Sequence, residues 1–148
     1  MKLAIGAALA LALVDVAPSA AEAREHQVKM LNKGSNGKLM MFEPAFIKIA
    51  PGDTVKFIAT NKGHNAESIP SMTPAGGNLF KGKINEEIVF KPTKPGLYGV
   101  KCLPHVGMGM VGLIQVGNAS NKPAIAAAGA KLPGLSKKEM AALVAQAR

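Results

Sequence analysis

The segment V-K-C-L-P-H-V-G-M-G-M-V at residues 100–111 constrains the fold most, because it gathers three different metal-binding side chains. Cys102, the only cysteine of the chain, is followed by His105 at a spacing of C-x2-H and then by Met110. A thiolate, an imidazole and a thioether together suit copper or zinc, whereas Mg²⁺ and Ca²⁺ prefer oxygen ligands. The segment contains no Asp or Glu, so we expect no hard-ion site there.

The turn-forming residues of this segment predict a loop that wraps round one ion between two strands. Pro104, Gly107 and Gly109 allow the backbone to curl instead of running straight. We expect the fourth ligand to be another histidine, and the remaining candidates are His26 and His64. We favour His64, which follows a strand-like segment, over His26, which lies near the expected mature terminus and is predicted to be solvated.

Two imidazoles, one thiolate and a weak axial methionine form the trigonal arrangement of blue-copper electron-transfer sites. Three segments, M-L-N-K-G, G-H-N-A-E-S-I and C-x-P-H-x4-M, resemble in this order the pseudoazurins, a family of small bacterial cupredoxins. The resemblance covers essentially the whole chain after its first residues. It implies one copper ion, cycling between Cu(I) and Cu(II), with ligands His64, Cys102, His105 and Met110, and it selects Met110 over Met108 as the axial ligand.

The resemblance also implies roles for residues around the ligands. Asn65 is expected to tie two loops together, and Pro104 to support the ligand loop from behind the ligands. A basic rim around the His105 edge is expected to dock partners. The candidate members of this rim, by resemblance, are the lysines Lys33, Lys62, Lys81 and Lys101, and Met108 is a further candidate docking residue. The alternative for these lysines is plain solvation, because most exposed lysines only keep a protein soluble.

Residues 1–23 predict a cleaved secretory signal peptide. A short apolar run follows Lys2, and small residues then lead to A-E-A, an A-x-A cleavage pattern, immediately before Arg24. The run is shorter than the about 20 apolar residues that span a bilayer. We therefore expect export to the periplasm, a mature chain that begins at Arg24, and no membrane insertion after cleavage. Cleavage after Ala21 is the alternative.

The charge of the expected mature chain favours acidic protein partners. The chain has 18 basic and 9 acidic residues; without residues 1–23, 17 basic and 7 acidic residues remain, a net charge of +10. Nucleic acid is the usual partner of so basic a chain. An exported protein seldom meets it, however, and no basic motif interleaved with aromatic residues is present, so we expect no nucleic-acid binding. A single cysteine also excludes an internal disulfide.

Short alternating segments predict an all-β domain over residues 24–148. Strands are predicted at 26–34, 46–50, 54–60, 87–90, 97–101 and 111–116, with a long irregular connection at 68–82. Frequent turn signals between them indicate an antiparallel β-sandwich. This agrees with the Greek-key sandwich of cupredoxins that the resemblance implies.

The composition changes after Gly117 and predicts two short α-helices within about residues 122–147. The first is alanine-rich, and the second is expected to open with a capping box between Ser136 and Glu139. Its predicted buried stripe consists of Leu135, Met140, Leu143 and Val144. Lys137 and Lys138 are expected to lie in a helix remote from the metal.

By resemblance, the expected function is periplasmic one-electron transfer by a monomer that is not an enzyme. Its expected partners are a c-type cytochrome as donor and a nitrite reductase as acceptor, in denitrification. Acceptance of electrons from an amine dehydrogenase is one alternative, and copper storage or delivery is an alternative of a different class. A multicopper oxidase is excluded, because three histidines cannot build both a mononuclear site and a trinuclear cluster.

Overall fold

A computed structural model describes residues 22–148, which form eight strands followed by two α-helices. All but the last two residues of the predicted signal peptide lie outside this range. The strands are β1 (Glu25–Lys33), β2 (Leu39–Glu43), β3 (Phe46–Ile49), β4 (Thr54–Ile58), β5 (Glu67–Ser68), β6 (Ile88–Phe90), β7 (Gly96–Lys101) and β8 (Val111–Val116). The helices are α1 (Lys122–Gly129) and α2 (Ser136–Gln146). Neither has the length and apolarity that a bilayer crossing requires.

The strands form two four-stranded sheets, in the orders β2-β1-β4-β6 and β3-β8-β7-β5. This confirms the predicted sandwich with two short C-terminal helices, although two of its strand pairs are parallel and the others antiparallel. β1 pairs with β4 in parallel, and β3 pairs with β8 in parallel. The chain changes sheet between Glu43 and Phe46, so β3 runs beside β8 instead of folding back on β2. Local alternation carries no information about such a change.

Strand β2 was not predicted as a separate strand. Its sequence L-M-M-F-E has no clear alternation of apolar and polar residues, and only Met41 and Phe42 are buried. Its position follows from pairing with β1, in which Met30 faces Phe42 and Lys33 faces Leu39. The strand is therefore fixed by its partner and not by its own pattern.

The core between the two sheets contains a row of packed aromatic side chains and two of the predicted metal ligands. Neighbouring ring centroids lie 4.5–5.7 Å apart along the row Phe42, Phe57, Phe80, Phe90 and Tyr98. Cys102 and Met110 belong to the same buried cluster. Because close-packed interiors resist deformation, the two sulfur-bearing side chains are held by a rigid scaffold.

The helices cover a second apolar cluster on the β3-β8-β7-β5 sheet. Met140, Leu143 and Val144 of α2 are buried there, as predicted. Leu135, however, is 59% exposed, so its place in the buried stripe was wrong. The helix begins only after Leu135, and this residue therefore lies outside the packed face.

Candidate metal centre

Three of the predicted ligands converge on one point. Cys102 Sγ lies 3.7 Å from His64 Nδ1 and 3.5 Å from His105 Nδ1, and the two Nδ1 atoms are 3.1 Å apart. All three ligand atoms lie within 4.8 Å of one another. Two imidazole nitrogens and a sulfur around one point are the donor set of a copper or zinc site. The side chains present therefore fit the predicted ion.

The ligand loop, residues 102–110, is shaped by hydrogen bonds between its own ends. The Cys102 N–H donates to the Met110 carbonyl over 3.0 Å, and the Met110 N–H donates to the His105 carbonyl over 3.2 Å. A 3₁₀ turn at Leu103–Met108 lies between them, and Gly109 takes a φ of +92° that favours glycine. This left-handed residue returns the chain to the core, where Met110 is fully buried beside Cys102.

His64 reaches the site from the segment between β4 and β5. It is fully buried, and its Nε2 lies 2.7 Å from Asn32 Oδ1. An amide oxygen accepts a hydrogen bond, so Nε2 carries the proton and Nδ1 keeps its lone pair facing Cys102. Burial, and then the neighbouring His105, lower the pKa of His64. The ring is thus held neutral, which is the form that binds a metal.

Asn32 is the functional residue that sequence reasoning missed. It lies in the M-L-N-K-G segment, which resembles the family but by itself indicates no role for the asparagine. β1 pairs in parallel with β4, which brings the end of β1 beside the loop that follows β4. The contact between Asn32 and His64 depends on this pairing. Nothing local to Asn32 signals that contact.

Asn65 joins the His64 segment to the ligand loop. Its Oδ1 accepts the Leu103 N–H over 2.7 Å, and its Nδ2 donates to Glu67 Oε2 over 3.0 Å and to the Gly82 carbonyl over 3.1 Å. The residue is buried, so these bonds also satisfy groups that water cannot reach. The relative position of His64 and Cys102 is fixed by this side chain.

Burial raises the pKa of the Cys102 thiol, and backbone N–H donors at Asn65 and His105 offset part of that effect. The nearby Glu67 carboxylate raises it further. A metal binds the thiolate, so binding at this site releases the thiol proton and becomes tighter as the pH rises.

The start of α2 braces the outer side of the ligand loop. The Leu135 N–H donates to the Gly107 carbonyl over 3.0 Å, and the Ser136 hydroxyl donates to the Val106 carbonyl. The predicted capping box was therefore wrong. Ser136 lies within the helix and makes no cap bond, and its hydroxyl serves the loop instead.

The same contacts correct the expectation that Lys137 and Lys138 are remote from the metal. They follow Ser136 directly in α2, whose first turn lies against the ligand loop. Glu139, the other residue of the predicted box, forms an ion pair with Lys38.

The surface over His105 is apolar. His105 is partly exposed, Leu103 is 51% exposed and Met108 is 47% exposed. Pro104, at the start of the 3₁₀ turn, is exposed as well. We call these four residues the apolar face.

Three of the candidate docking lysines, Lys33, Lys62 and Lys81, are exposed. Lys33 follows Asn32, and Lys62 precedes His64 by two residues, so both lie close to the metal centre. Lys101 differs, because it is partly buried and its Nζ lies 3.4 Å from Glu67 Oε1. Its charge is already paired within the molecule.

Residues 28–117 match the family model described as copper binding proteins, plastocyanin/azurin family. The chain is 51% identical over 142 residues to a pseudoazurin of Paracoccus pantotrophus, covering 96% of this chain and 95% of that protein. It is 48% identical over 147 residues to a putative pseudoazurin of Rhizobium leguminosarum bv. viciae, covering 99% of this chain and 95% of that protein. The crystal structure of the native pseudoazurin from Hyphomicrobium denitrificans superposes with a TM-score of 0.79 at 46% identity, covering 84% of this chain and 98% of that one.

The arrangement of His64, Cys102, His105 and Met110 is typical of a type I copper site. The match extends over nearly the full chain, including both C-terminal helices, which follow the region of the family model. With the fold, the ligand set and the relatives in agreement, this chain belongs to the pseudoazurins, within the plastocyanin/azurin family of copper-binding proteins.

Proposed function

We propose that this chain is a periplasmic one-electron carrier that takes electrons from a c-type cytochrome and delivers them to a nitrite reductase. The observation that carries the proposal is a buried set of two imidazoles and a thiolate, of which one imidazole, His105, reaches the surface. Bound copper would supply one-electron exchange between Cu(I) and Cu(II). We propose no catalytic role, since the family relatives point to electron transfer.

The contacts behind the ligands favour fast transfer. His64 is held by Asn32, and the Cys102 end of the ligand loop is held by Asn65. The outer side of the loop is held by α2. Ligands fixed in this way move little when the charge of the site changes, so little reorganisation accompanies each transfer. The same burial speaks against storage or delivery of copper, which needs an exchangeable site.

The apolar face is the proposed exit for the electron. Its other three residues lie in the same 3₁₀ turn as His105, and because His105 is a direct ligand, a docked partner comes within one side chain of the metal. Weak, short-lived complexes of redox proteins use small interfaces, below about 1,200 Å². A small apolar contact around one imidazole edge suits such a complex, and a monomer suffices to form it.

The exposed lysines are proposed to guide the partner to this face. Residues 100–111 contain no acidic side chain, and the mature chain carries an excess of basic residues. Charges at the rim of an interface raise the association rate and set orientation more than they add affinity. We therefore propose Lys33, Lys62 and Lys81 as the steering residues, with a smaller contribution from the paired Lys101.

The experiment is a stopped-flow measurement of electron transfer from the reduced protein to a nitrite reductase with an acidic docking face. The double reversal Lys33→Glu/Lys62→Glu is compared with Lys91→Glu/Lys94→Glu, which changes the net charge equally. Lys91 and Lys94 are exposed and follow the end of β6 that pairs with the start of β4, away from the ligand loop.

At low ionic strength we expect the rim reversal to slow transfer about tenfold or more, and physiological salt to slow the unmodified protein as well. The visible spectrum should not change in either variant. Equal slowing by both reversals would show that net charge and not a docking face controls the encounter. Fast reduction by an amine dehydrogenase, with slow transfer to nitrite reductase, would replace the proposed partners.

A further inference from the structure

The main chain of Arg24 is held by the turn before β4. Its nitrogen lies 2.9 Å from Asp53 Oδ1, and its carbonyl accepts the Thr54 N–H over 2.9 Å. The next residue, Glu25, opens β1 and pairs with Thr54. Arg24 is therefore the point at which the chain enters the sheet, although its side chain is exposed like those of Glu22 and Ala23 before it.

Asp53 is a charged group in a sheltered position. It is only 6% exposed, and its Oδ2 lies 2.8 Å from His26 Nε2 and accepts the Ala50 N–H over 3.1 Å. The N–H of Arg24, followed by His26, lowers the pKa of Asp53 to about 2. A negative charge thus lies against the main-chain nitrogen of Arg24, the residue that precedes β1.

We propose that Asp53 is the binding site for the α-ammonium group that signal cleavage creates at Arg24. The inference rests on the proposed export of the chain. Hydrolysis of the Ala23–Arg24 peptide bond consumes one water and leaves a carboxylate on Ala23 and an amine on Arg24. At neutral pH that amine takes up a proton, so the neutral amide donor of the precursor becomes a cation beside Asp53.

Only one of the two predicted cleavage positions creates the new positive charge at Asp53. Cleavage after Ala23 places the new charge on the nitrogen that already contacts Asp53. Cleavage after Ala21 would place it on Glu22, two residues farther out and exposed. Hydrogen bonds between charged groups are roughly twice as strong as neutral ones. Removal of the signal after Ala23 therefore stabilises the folded protein.

Other charged groups face the same place and have to be held constant in a test. The open cleft at this position, with a volume of about 500 Å³, is lined by Glu22, Arg24, His26, Lys48 and Asp53 among others. Glu22 leaves with the signal, while His26 and Lys48 remain. A control has to change the charge of the Arg24 nitrogen alone.

The matched pair is the copper-loaded chain that begins at Arg24, with its α-amine either free or acetylated. Acetylation keeps an N–H at the same atom and removes only the charge. Denaturant unfolding of both forms is followed from pH 5 to pH 10, and the α-amine is titrated by NMR after isotopic labelling. Both measurements are repeated in Asp53→Asn.

We expect the pKa of the α-amine to lie about one unit above its ordinary value of about 7.7–8.0. Such a rise gives stability that is fully present below the ordinary value and is lost as the pH rises through the raised one. The free form should therefore have an about tenfold larger folding equilibrium constant than the acetylated form at pH 6, and no advantage at pH 10. Asp53→Asn should remove both differences.

Equal stability of the two forms at pH 6, with an ordinary α-amine pKa, would overturn the site and leave Asp53 as a residue that only fixes its turn. The acetylation comparison decides this even if Asp53→Asn does not fold. N-terminal sequencing of the exported protein tests cleavage separately. A mature chain that begins at Glu22 would overturn the cleavage position, while titration of the Arg24 chain still decides on Asp53.

Discussion

Strand β1 has a histidine contact at each end, and the two contacts have nearly equal lengths. At its start, His26 Nε2 lies 2.8 Å from Asp53 Oδ2. At its end, Asn32 Oδ1 lies 2.7 Å from His64 Nε2. Since a strand rises about 3.3 Å per residue, the positions of His26 and Asn32 on β1 are roughly 20 Å apart. The same ring nitrogen thus meets an oxygen acceptor at both ends of one strand.

The difference between the acceptors separates the two roles. Asp53 brings a negative charge to a partly exposed ring, whereas Asn32 brings a neutral amide to a buried one. A neutral acceptor fixes the proton on Nε2 without attracting a second proton to the ring, so the Nδ1 of His64 stays available to a cation. A histidine becomes a ligand here through the partner behind it as much as through its own position.

The largest expected effect is at the metal end of β1. Replacing Cys102 by Ala removes the thiolate, so the intense charge-transfer colour of the oxidised protein should disappear. Visible absorption spectroscopy after copper loading measures this. Met110→Leu is the control, because the axial bond is weak, and this variant should keep the colour with an altered reduction potential. A colourless copper-loaded wild type would contradict the type I site.

A smaller effect, on stability, is expected when the hydrogen bonds that join the two ligand-bearing segments are removed. Asn65→Ala leaves the Leu103 N–H without its acceptor, and it should lower the free energy of unfolding by about 1 to 3 kcal/mol. Asn78→Ala is a matched control, since Asn78 also makes three hydrogen bonds, to Lys91 and Thr93, but near the surface. Urea unfolding compares the two variants. An equal loss of unfolding free energy in both would show that Asn65 contributes no more to stability than an asparagine near the surface.

Exchange of the acceptor at the metal end tests the comparison of the two histidines directly. Asn32→Asp puts a carboxylate behind His64, which should favour the more highly charged oxidised copper. The reduction potential should fall by a few tens of millivolts, given that a tenfold preference corresponds to about 59 mV for one electron. Protein-film voltammetry measures the potential. Asn32→Ala should instead weaken metal binding about 10- to 100-fold, and an unchanged potential in Asn32→Asp would show that water screens this position.

The smallest expected effect is confined to acid at the other end of β1. The pKa of Asp53, lowered to about 2, is below the about 3.9 of an unfolded chain. Its ionised form therefore stabilises the fold above about pH 4, and this contribution is lost as the pH falls through about 2. Unfolding of the metal-free protein at stepwise lower pH should show wild type and Asp53→Asn converging over this range. A constant gap down to pH 2 would contradict the assignment.

Much of the site could be predicted from the sequence, because the ligands carry chemistry that few residue types share. Cys102, His105 and Met110 lie within one short segment, and a single further histidine had to be chosen. The prediction of His64 is confirmed. The expectation that His26 is simply solvated was wrong, because its ring is within hydrogen-bond distance of the Asp53 carboxylate. This contact depends on the start of β1 lying beside the turn before β4, and alternation along one strand does not encode that.

The missed features share a cause, which is that each is a contact between segments distant in the chain. The parallel partners of β1 and β3 were missed for this reason, as was the role of Asn32. Ser136 shows the point most clearly. Its local sequence fits a capping box, yet its hydroxyl bonds to Val106, 30 residues earlier. Ser136 thus makes a tertiary hydrogen bond in place of the local capping bond that its sequence predicts.

The brace of α2 on the ligand loop has a consequence for protein engineering. Loops between two adjacent strands are attractive modules for transplantation, because their ends fit any similar hairpin. This loop receives part of its shape from Leu135 and Ser136, which are not in the hairpin. Grafted alone between β7-like and β8-like strands of another sandwich, it would carry its ligands but not its outer support. The unit to transplant therefore includes the start of α2 as well as the hairpin.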